Sequence, residues 1–188
     1  MPDLPHFPQE SAMKRIFITA LAIPLALAGT AALAHVKLTP AQAPAGSAIR
    51  AVLAVPHGCE GAATTSLSVT LPDGFYLAKP MPKPGWTLTT QDGDYPAPYD
   101  DHGTMRAQGV RRIAWTGELP DAWYDEFVFT GTLGGDLAPG ATLYFPVEQT
   151  CGARVEHWTG VPAAEGAAVD DPAPALTVQP ADEHAHHH

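Results

Sequence analysis

The sequence lacks several features that mark common functional classes. It contains no asparagine and therefore no acceptor for N-linked glycosylation. Lysine and arginine total 10 against 20 acidic residues and form no basic patch for phosphate backbones, so we expect no nucleic-acid partner. The Gly-x-Ser-x-Gly, His-Glu-x-x-His, phosphate-loop and Cys-x-x-Cys motifs are also missing, which removes the usual sequence support for hydrolases and nucleotide-binding proteins.

Long apolar segments are missing too, apart from one near the N-terminus. Lys14 and Arg15 precede an apolar run to Ala28, and Ala32-Leu33-Ala34 has the small-x-small pattern of a signal-peptidase site. The run is too short to span a bilayer, so residues 1–34 are interpreted as a cleaved export signal. The first twelve residues do not fit such a signal, and we interpret Met13 as the true start. We expect a periplasmic mature protein with no stable membrane anchor.

Cysteine is scarce, since only Cys59 and Cys151 are present. In an exported protein an isolated pair of cysteines is typical of a disulfide. Closing so long a loop stabilises a fold by roughly 4–5 kcal/mol through the lost entropy of the unfolded chain. The alternative is that the two thiolates bind copper, but nothing in the sequence indicates a reducing compartment.

Alternating apolar residues and frequent turn residues indicate an all-β fold. The chain has 17 glycines and 20 prolines, a density that is hard to reconcile with long helices. Leu67, Val69 and Leu71 alternate with polar residues, as in a strand with one buried face. We expect seven or eight short strands, centred near positions 38, 50, 68, 88, 113, 129, 145 and 156. Together they predict one antiparallel β-sandwich, immunoglobulin-like or cupredoxin-like, with the strand order left open.

Changes in composition divide the chain into three parts. After the export signal, residues 35–162 have the β-type pattern and are assigned to the sandwich. Residues 163–188 are rich in Ala, Pro, Asp and Glu and are predicted to be a flexible tail. The tail ends in a histidine-rich segment, which is either a native metal-capture arm or part of a purification tag.

Cleavage after Ala34 would make His35 the first residue of the mature chain. A free α-amine and the Nδ1 atom of the same residue's imidazole can then chelate one metal ion, an arrangement known as a histidine brace. Cu(II) prefers tetragonal coordination by nitrogen and oxygen and has the highest affinity in the divalent series, so it suits such a site. The alternative is that the histidine stands there by accident.

Six short motifs occur in order along residues 35–162. They are His35-Val36-Lys37-Leu38-Thr39-Pro40, Val55-Pro56 followed by Glu60, Pro84-Gly85-Trp86, Ile113-Ala114-Trp115-Thr116-Gly117, Asp125-Glu126-Phe127 and Val155-Glu156-His157-Trp158-Thr159-Gly160. In this order and spacing they resemble the YcnI-like family of exported bacterial copper-binding proteins. The resemblance implies a β-sandwich that binds Cu(II) through an N-terminal histidine and a glutamate, with a tryptophan beside the metal.

Carried over residue by residue, the resemblance implies His35 as the chelating ligand, Glu60 as the carboxylate ligand and Trp158 as the aromatic residue beside the metal. The loop before Glu60 is longer than in the simplest family members, and an additional histidine, His157, precedes Trp158. Since alternate residues of a strand face opposite ways, we expect His157 to face away from Trp158.

Two other histidines are further candidate metal ligands. His57 lies three residues before Glu60, and His102 has acidic neighbours at positions 100 and 101. For both, the alternative is a solvent-exposed histidine in a loop or turn without a metal.

These features predict a non-enzymatic carrier or chaperone of Cu(II) in periplasmic copper homeostasis. The resemblance implies a CopC/CopD-type importer or a PCuAC-type chaperone as partner. Met81 and Met105 are the only methionines after the export signal, so storage of Cu(I) by soft ligands is not expected. The alternatives are a copper-dependent oxidase or monooxygenase with an N-terminal histidine, and a metal-free β-sandwich that serves as an interaction module.

We expect the exported protein to begin at His35. The chain should be expressed with its export signal, purified from the periplasm, and its intact mass compared with that of residues 35–188. A mass that corresponds to any other first residue would contradict the chelate, because no α-amine would then lie beside the imidazole.

Overall fold

The computed structural model describes residues 35–164 and 166–181, and this part of the chain is built from β-strands without a helix. Its strands are β1 Lys37–Thr39, β2 Gln42–Pro44, β3 Ala48–Val55, β4 Thr64–Thr70, β5 Phe75–Pro80, β6 Thr87–Asp101, β7 Thr104–Leu119, β8 Asp125–Leu133, β9 Thr142–Tyr144, β10 Val147–Cys151, β11 Arg154–Trp158 and β12 Ala175–Gln179. Within the described ranges, no helix is long and apolar enough to cross a membrane.

The strands form three sheets. One sheet has the order β1-β3-β8-β5, a second has the order β11-β10-β4-β7-β6, and a small third sheet has the order β2-β12-β9. All pairings are antiparallel except that of β12 with β2. The predicted antiparallel β-sandwich with one disulfide is therefore confirmed.

Aromatic side chains from the two larger sheets, together with Phe145 between β9 and β10, fill the core. Phe75 packs edge-on against Phe129 and Phe145, with ring centroids 5.8 and 5.3 Å apart. Trp115 packs against Phe127 in the same manner. All five side chains are buried, and full burial of each large apolar side chain contributes about 1.5–3 kcal/mol. Phe127 and Phe129 occupy alternate positions of β8, so both side chains face the core from the same side of that strand.

Seven of the eight predicted strand centres lie within strands, and position 145 falls between β9 and β10. Five strands, β2, β5, β9, β10 and β12, contain none of the predicted centres. In β5 the apolar run contains a register shift at Leu77, whose φ is +53°, so regular alternation is interrupted. In β10 the polar side chain of Gln149 faces inward, so this inward position lacks the apolar residue by which alternation is recognised.

The turn-type residues Gln91-Asp92-Gly93-Asp94 predict a turn from sequence alone, and this prediction is wrong. These residues lie inside β6, which pairs with β7 as far as Asp101 opposite Thr104. The chain reverses instead at His102 and Gly103, whose φ angles of +50° and +86° suit a two-residue type I′ hairpin turn.

Aromatic contacts hold this long hairpin to the sandwich. Tyr99 stacks on Tyr76 of β5 with ring centroids 4.5 Å apart, and Tyr95 meets the same ring edge-on at 4.9 Å. The hydroxyl of Tyr95 accepts a hydrogen bond from the backbone N–H of Leu77. A polar sequence remains in strand conformation here because distant aromatic residues anchor it.

The predicted domain boundary at Pro162 is also wrong. Strand β12 lies beyond it and pairs with β9 and β2, and the side chains of Leu176 and Val178 are fully buried. Two apolar residues in an Ala/Pro-rich segment are a weak local signal, and only their distant partners make them part of the core. The terminal histidines His184, His186, His187 and His188 lie outside the described residues.

We expect Leu176→Ala to lower the free energy of unfolding by about 2–5 kcal/mol, because it leaves a cavity in a fully buried position. Urea unfolding measures this change. The matched control is Val161→Ala, since Val161 is 52% exposed and its truncation should change stability by no more than about 0.5 kcal/mol. If the two variants were equally stable, β12 would not belong to the folded domain.

Candidate metal centre

The strand register places His35 at a defined end of the sandwich. Strand β1 is antiparallel to β3, with Lys37 opposite Ala54. Continuing this register past the strand ends brings His35 level with Pro56, the first residue of the loop 56–63 that joins β3 to β4. Predicted ligands His57 and Glu60 lie in this same loop.

The imidazole of His35 packs against the indole of Trp158. Their ring centroids are 5.3 Å apart and the ring planes meet at 68°, an edge-to-face arrangement. His35 is half-buried, whereas Trp158 at the end of β11 is only 7% exposed. The structure thus brings together two of the residues that the resemblance implied for the metal centre. His157 is exposed on the opposite face of β11, as expected.

A buried amide lies behind Trp158. The indole Nε1–H donates to Gln149 Oε1 over 3.1 Å. Gln149 Nε2 in turn donates to Thr64 Oγ1 over 2.7 Å and to the carbonyl oxygen of His57 over 2.8 Å. Sequence reasoning missed Gln149, although its place between Val147 and Cys151 at every second position was a signal that it faces inward.

A tight turn carries Glu60. Cys59 and Ala62 exchange two backbone hydrogen bonds of 3.0 Å, and the φ angles of Glu60 and Gly61 are +50° and +88°. This is the geometry of a two-residue hairpin turn. The predicted disulfide from Cys59 to Cys151 is confirmed and ties the turn to β10.

The carboxylate of Glu60 forms an ion pair with Arg154. Glu60 is 71% exposed in its side chain, and its Oε2 accepts a hydrogen bond from Arg154 Nη1 over 2.5 Å. Arg154 Nε also donates to Glu156 Oε1 over 2.6 Å. The hydrogen bond that Arg154 donates to Glu156 and the charge of Glu60 raise the pKa of the Arg154 guanidinium. Glu60 and His35 therefore contact different partners in this structure.

The two further candidate ligands differ in surroundings. His57 is half-buried, and its Nδ1 lies 2.5 Å from the carbonyl oxygen of Gly58, so that nitrogen is engaged by the backbone. His102 is exposed at the tip of the β6–β7 hairpin. Within residues 35–164 and 166–181, no three or more His, Cys, Asp or Glu side chains are grouped so that they could hold a metal. A brace is not such a group, because one of its donors is a backbone amine.

A family profile described as "Domain of unknown function (DUF1775)" matches residues 35–178 of the chain. The match begins at His35 and includes most of β12, so it agrees with the corrected domain boundary. A crystal structure of an uncharacterized protein from Nocardia farcinica, described as revealing an immunoglobulin-like fold, is 31% identical in sequence. The similarity covers 77% of this chain and 98% of that one, with a TM-score of 0.58. No curated protein matches the chain.

We expect the double variant Cys59→Ala/Cys151→Ala to lower the free energy of unfolding by roughly 2–5 kcal/mol, because the unfolded chain gains the entropy that the crosslink removes. Urea unfolding is the measurement. Reduction of the wild-type protein should produce a similar loss, since it removes the same constraint. A double variant as stable as the oxidised wild type would show that the disulfide does not stabilise the fold.

Proposed function

We propose, from the premise that the chain belongs to the DUF1775 family, that the protein is exported to the periplasm and carries Cu(II) at its mature N-terminus. The YcnI-like proteins that the sequence resembles are members of this family. The observation that best supports the proposal is the packing of His35 against Trp158, at the end of the sandwich where the loop with Glu60 begins.

The donor set of His35 suits Cu(II). Once the export signal is removed, the α-amine and the imidazole Nδ1 supply two nitrogens from one residue, as tetragonal Cu(II) coordination favours. The edge-to-face contact with Trp158 restricts the rotation of the imidazole. A ring whose orientation is already restricted loses less conformational entropy when it binds a metal.

Glu60 supplies the carboxylate in this proposal. Its present partner, Arg154, forms a largely exposed ion pair with it, and exposed ion pairs are weak. Arg154 also keeps a second carboxylate, Glu156, when Glu60 is withdrawn. Cu(II) can therefore compete for Glu60 without leaving the arginine unpaired.

A site of this kind suits a carrier. Two nitrogens and one carboxylate leave coordination positions of Cu(II) open to solvent or to the ligands of a partner. An acceptor can then take the ion by stepwise exchange of ligands. The ion is cargo in this scheme, and the acceptor or donor is a CopC/CopD-type importer or a PCuAC-type chaperone. The family description names no enzymatic activity.

A second candidate function is a metal-free interaction module. The observation in its favour is that Glu60 is paired with Arg154, while the described residues contain no preformed group of three metal-binding side chains. In this case the contact between His35 and Trp158 serves packing alone. Cu(II) binding distinguishes the two functions.

We expect a protein that begins at His35 to bind one equivalent of Cu(II). The four terminal histidines should be replaced by serine, since histidine-rich tracts bind metals themselves. A matched protein with one extra methionine before His35 loses the chelate and should bind at least about tenfold more weakly, a difference of about 1.4 kcal/mol. Competition titration with a chelator gives the affinities, and electron paramagnetic resonance reports the nitrogen ligands.

Glu60→Gln should weaken binding in the same assay, by about tenfold if the carboxylate is a ligand. Asp94→Asn is the matched control, because it removes one exposed carboxylate from the β6–β7 hairpin and should leave the affinity unchanged. Equal affinity of the protein with and without the extra methionine would overturn the brace, and no Cu(II) binding by the protein that begins at His35 would favour the metal-free module.

A further inference from the structure

We propose that Gln149 is a positioning residue that links the two parts of the copper site. On one side it fixes Trp158, against which His35 packs. On the other side it fixes the backbone of His57, at the start of the loop that carries Glu60. The inference rests on the proposed function, and it assigns a role to a residue that touches neither predicted ligand side chain.

The hydrogen bonds determine the orientation of the Gln149 amide. Its oxygen accepts from the Trp158 indole N–H, which can only donate. Its nitrogen donates to the His57 carbonyl, which can only accept, and also to the hydroxyl oxygen of Thr64. A flipped amide would place donor against donor at Trp158 and acceptor against acceptor at His57. The amide therefore has a single orientation that satisfies both partners.

Because the Gln149 amide is buried, losing any of its hydrogen bonds is energetically costly. Gln149 is 2% exposed and Thr64 is fully buried, so water cannot readily replace a lost hydrogen bond. Every fully buried side-chain nitrogen or oxygen in the described residues has a hydrogen-bond partner. Displacing either the indole or the His57 carbonyl would leave a buried polar group unsatisfied. Trp158 and the start of the loop are therefore held at a fixed separation.

Strand β10 also reaches the same loop through a second residue. Gln149 and Cys151 are two residues apart and face the same side of the strand. Gln149 contacts the backbone at His57, and Cys151 is bonded to Cys59. The loop is thus held at both residues that flank Gly58, immediately before Glu60. Of these two attachments, only Gln149 also binds the indole of Trp158, against which His35 packs.

The test compares Gln149→Met with Thr64→Val in the protein that begins at His35 and lacks the terminal histidines. Methionine has nearly the length of glutamine and removes all three hydrogen bonds of Gln149. Valine removes the bond from Gln149 to the Thr64 hydroxyl and the 3.8 Å contact of that hydroxyl with Cys151 Sγ, but it keeps the bonds of Gln149 to Trp158 and to the His57 carbonyl. Both variants perturb the same buried cluster. We measure Cu(II) affinity by competition titration, the ligand field by electron paramagnetic resonance and the fold by circular dichroism.

We expect Gln149→Met to bind Cu(II) about tenfold more weakly, as is typical when residues behind metal ligands are changed, and to show altered copper hyperfine splitting. Thr64→Val should retain the wild-type affinity and spectrum. An unchanged affinity and spectrum in Gln149→Met would overturn the inference while the proposed function stands. An equal loss in Thr64→Val would also overturn it, because packing alone would then explain the effect.

If Gln149→Met does not fold, the variant Trp158→Phe tests the inference instead. It keeps an aromatic ring beside His35 and removes the N–H that Gln149 holds. A changed copper spectrum supports the inference, and a spectrum and affinity like those of the wild type overturn it. If the wild-type protein itself binds no Cu(II), the proposed function fails, and the inference fails with it.

Discussion

Strand β10 holds the loop between β3 and β4 to the sandwich, and the geometry of this end of the molecule depends on that attachment. The disulfide from Cys151 fixes Cys59, and the amide of Gln149 fixes the carbonyl of His57. Without these bonds a polar turn with Glu60 at positive φ would have few native contacts. The attachment gives an exposed carboxylate a defined position, although its side chain remains in solvent.

The N-terminal side of the same end is ordered by different contacts. Strand β1 is short, and its pairing with β3 begins only at Lys37, two residues after His35. The side chain of His35 gains order from Trp158, which in turn is held by Gln149. Residues at the end of a domain are ordinarily among the least ordered, so the contact with a buried ring is what gives the His35 side chain a defined position.

The local sequence pattern was sufficient to predict the apolar strands of the sandwich. It was insufficient to predict the polar β6–β7 hairpin and β12, whose partners are distant in sequence. The alternation of Leu67 with Val69 predicted β4 because one face of that strand is buried along its whole length. The β6–β7 hairpin and β12 were mispredicted because their pairing depends on residues far away in sequence. Tyr76 holds the hairpin, and β9 with β2 gives Leu176 its buried position. A window of adjacent residues contains no information about such partners.

The sequence by itself determined the all-β class and the pairing of the only two cysteines. These features depend on periodicity and on counting. Only the tertiary structure decided that His35 meets Trp158, that Glu60 is paired with Arg154 and that a buried glutamine joins the indole to the loop. Each of these contacts joins residues from separate strands or loops, and their distance in space is fixed by strand register and sheet order, which a linear pattern does not specify.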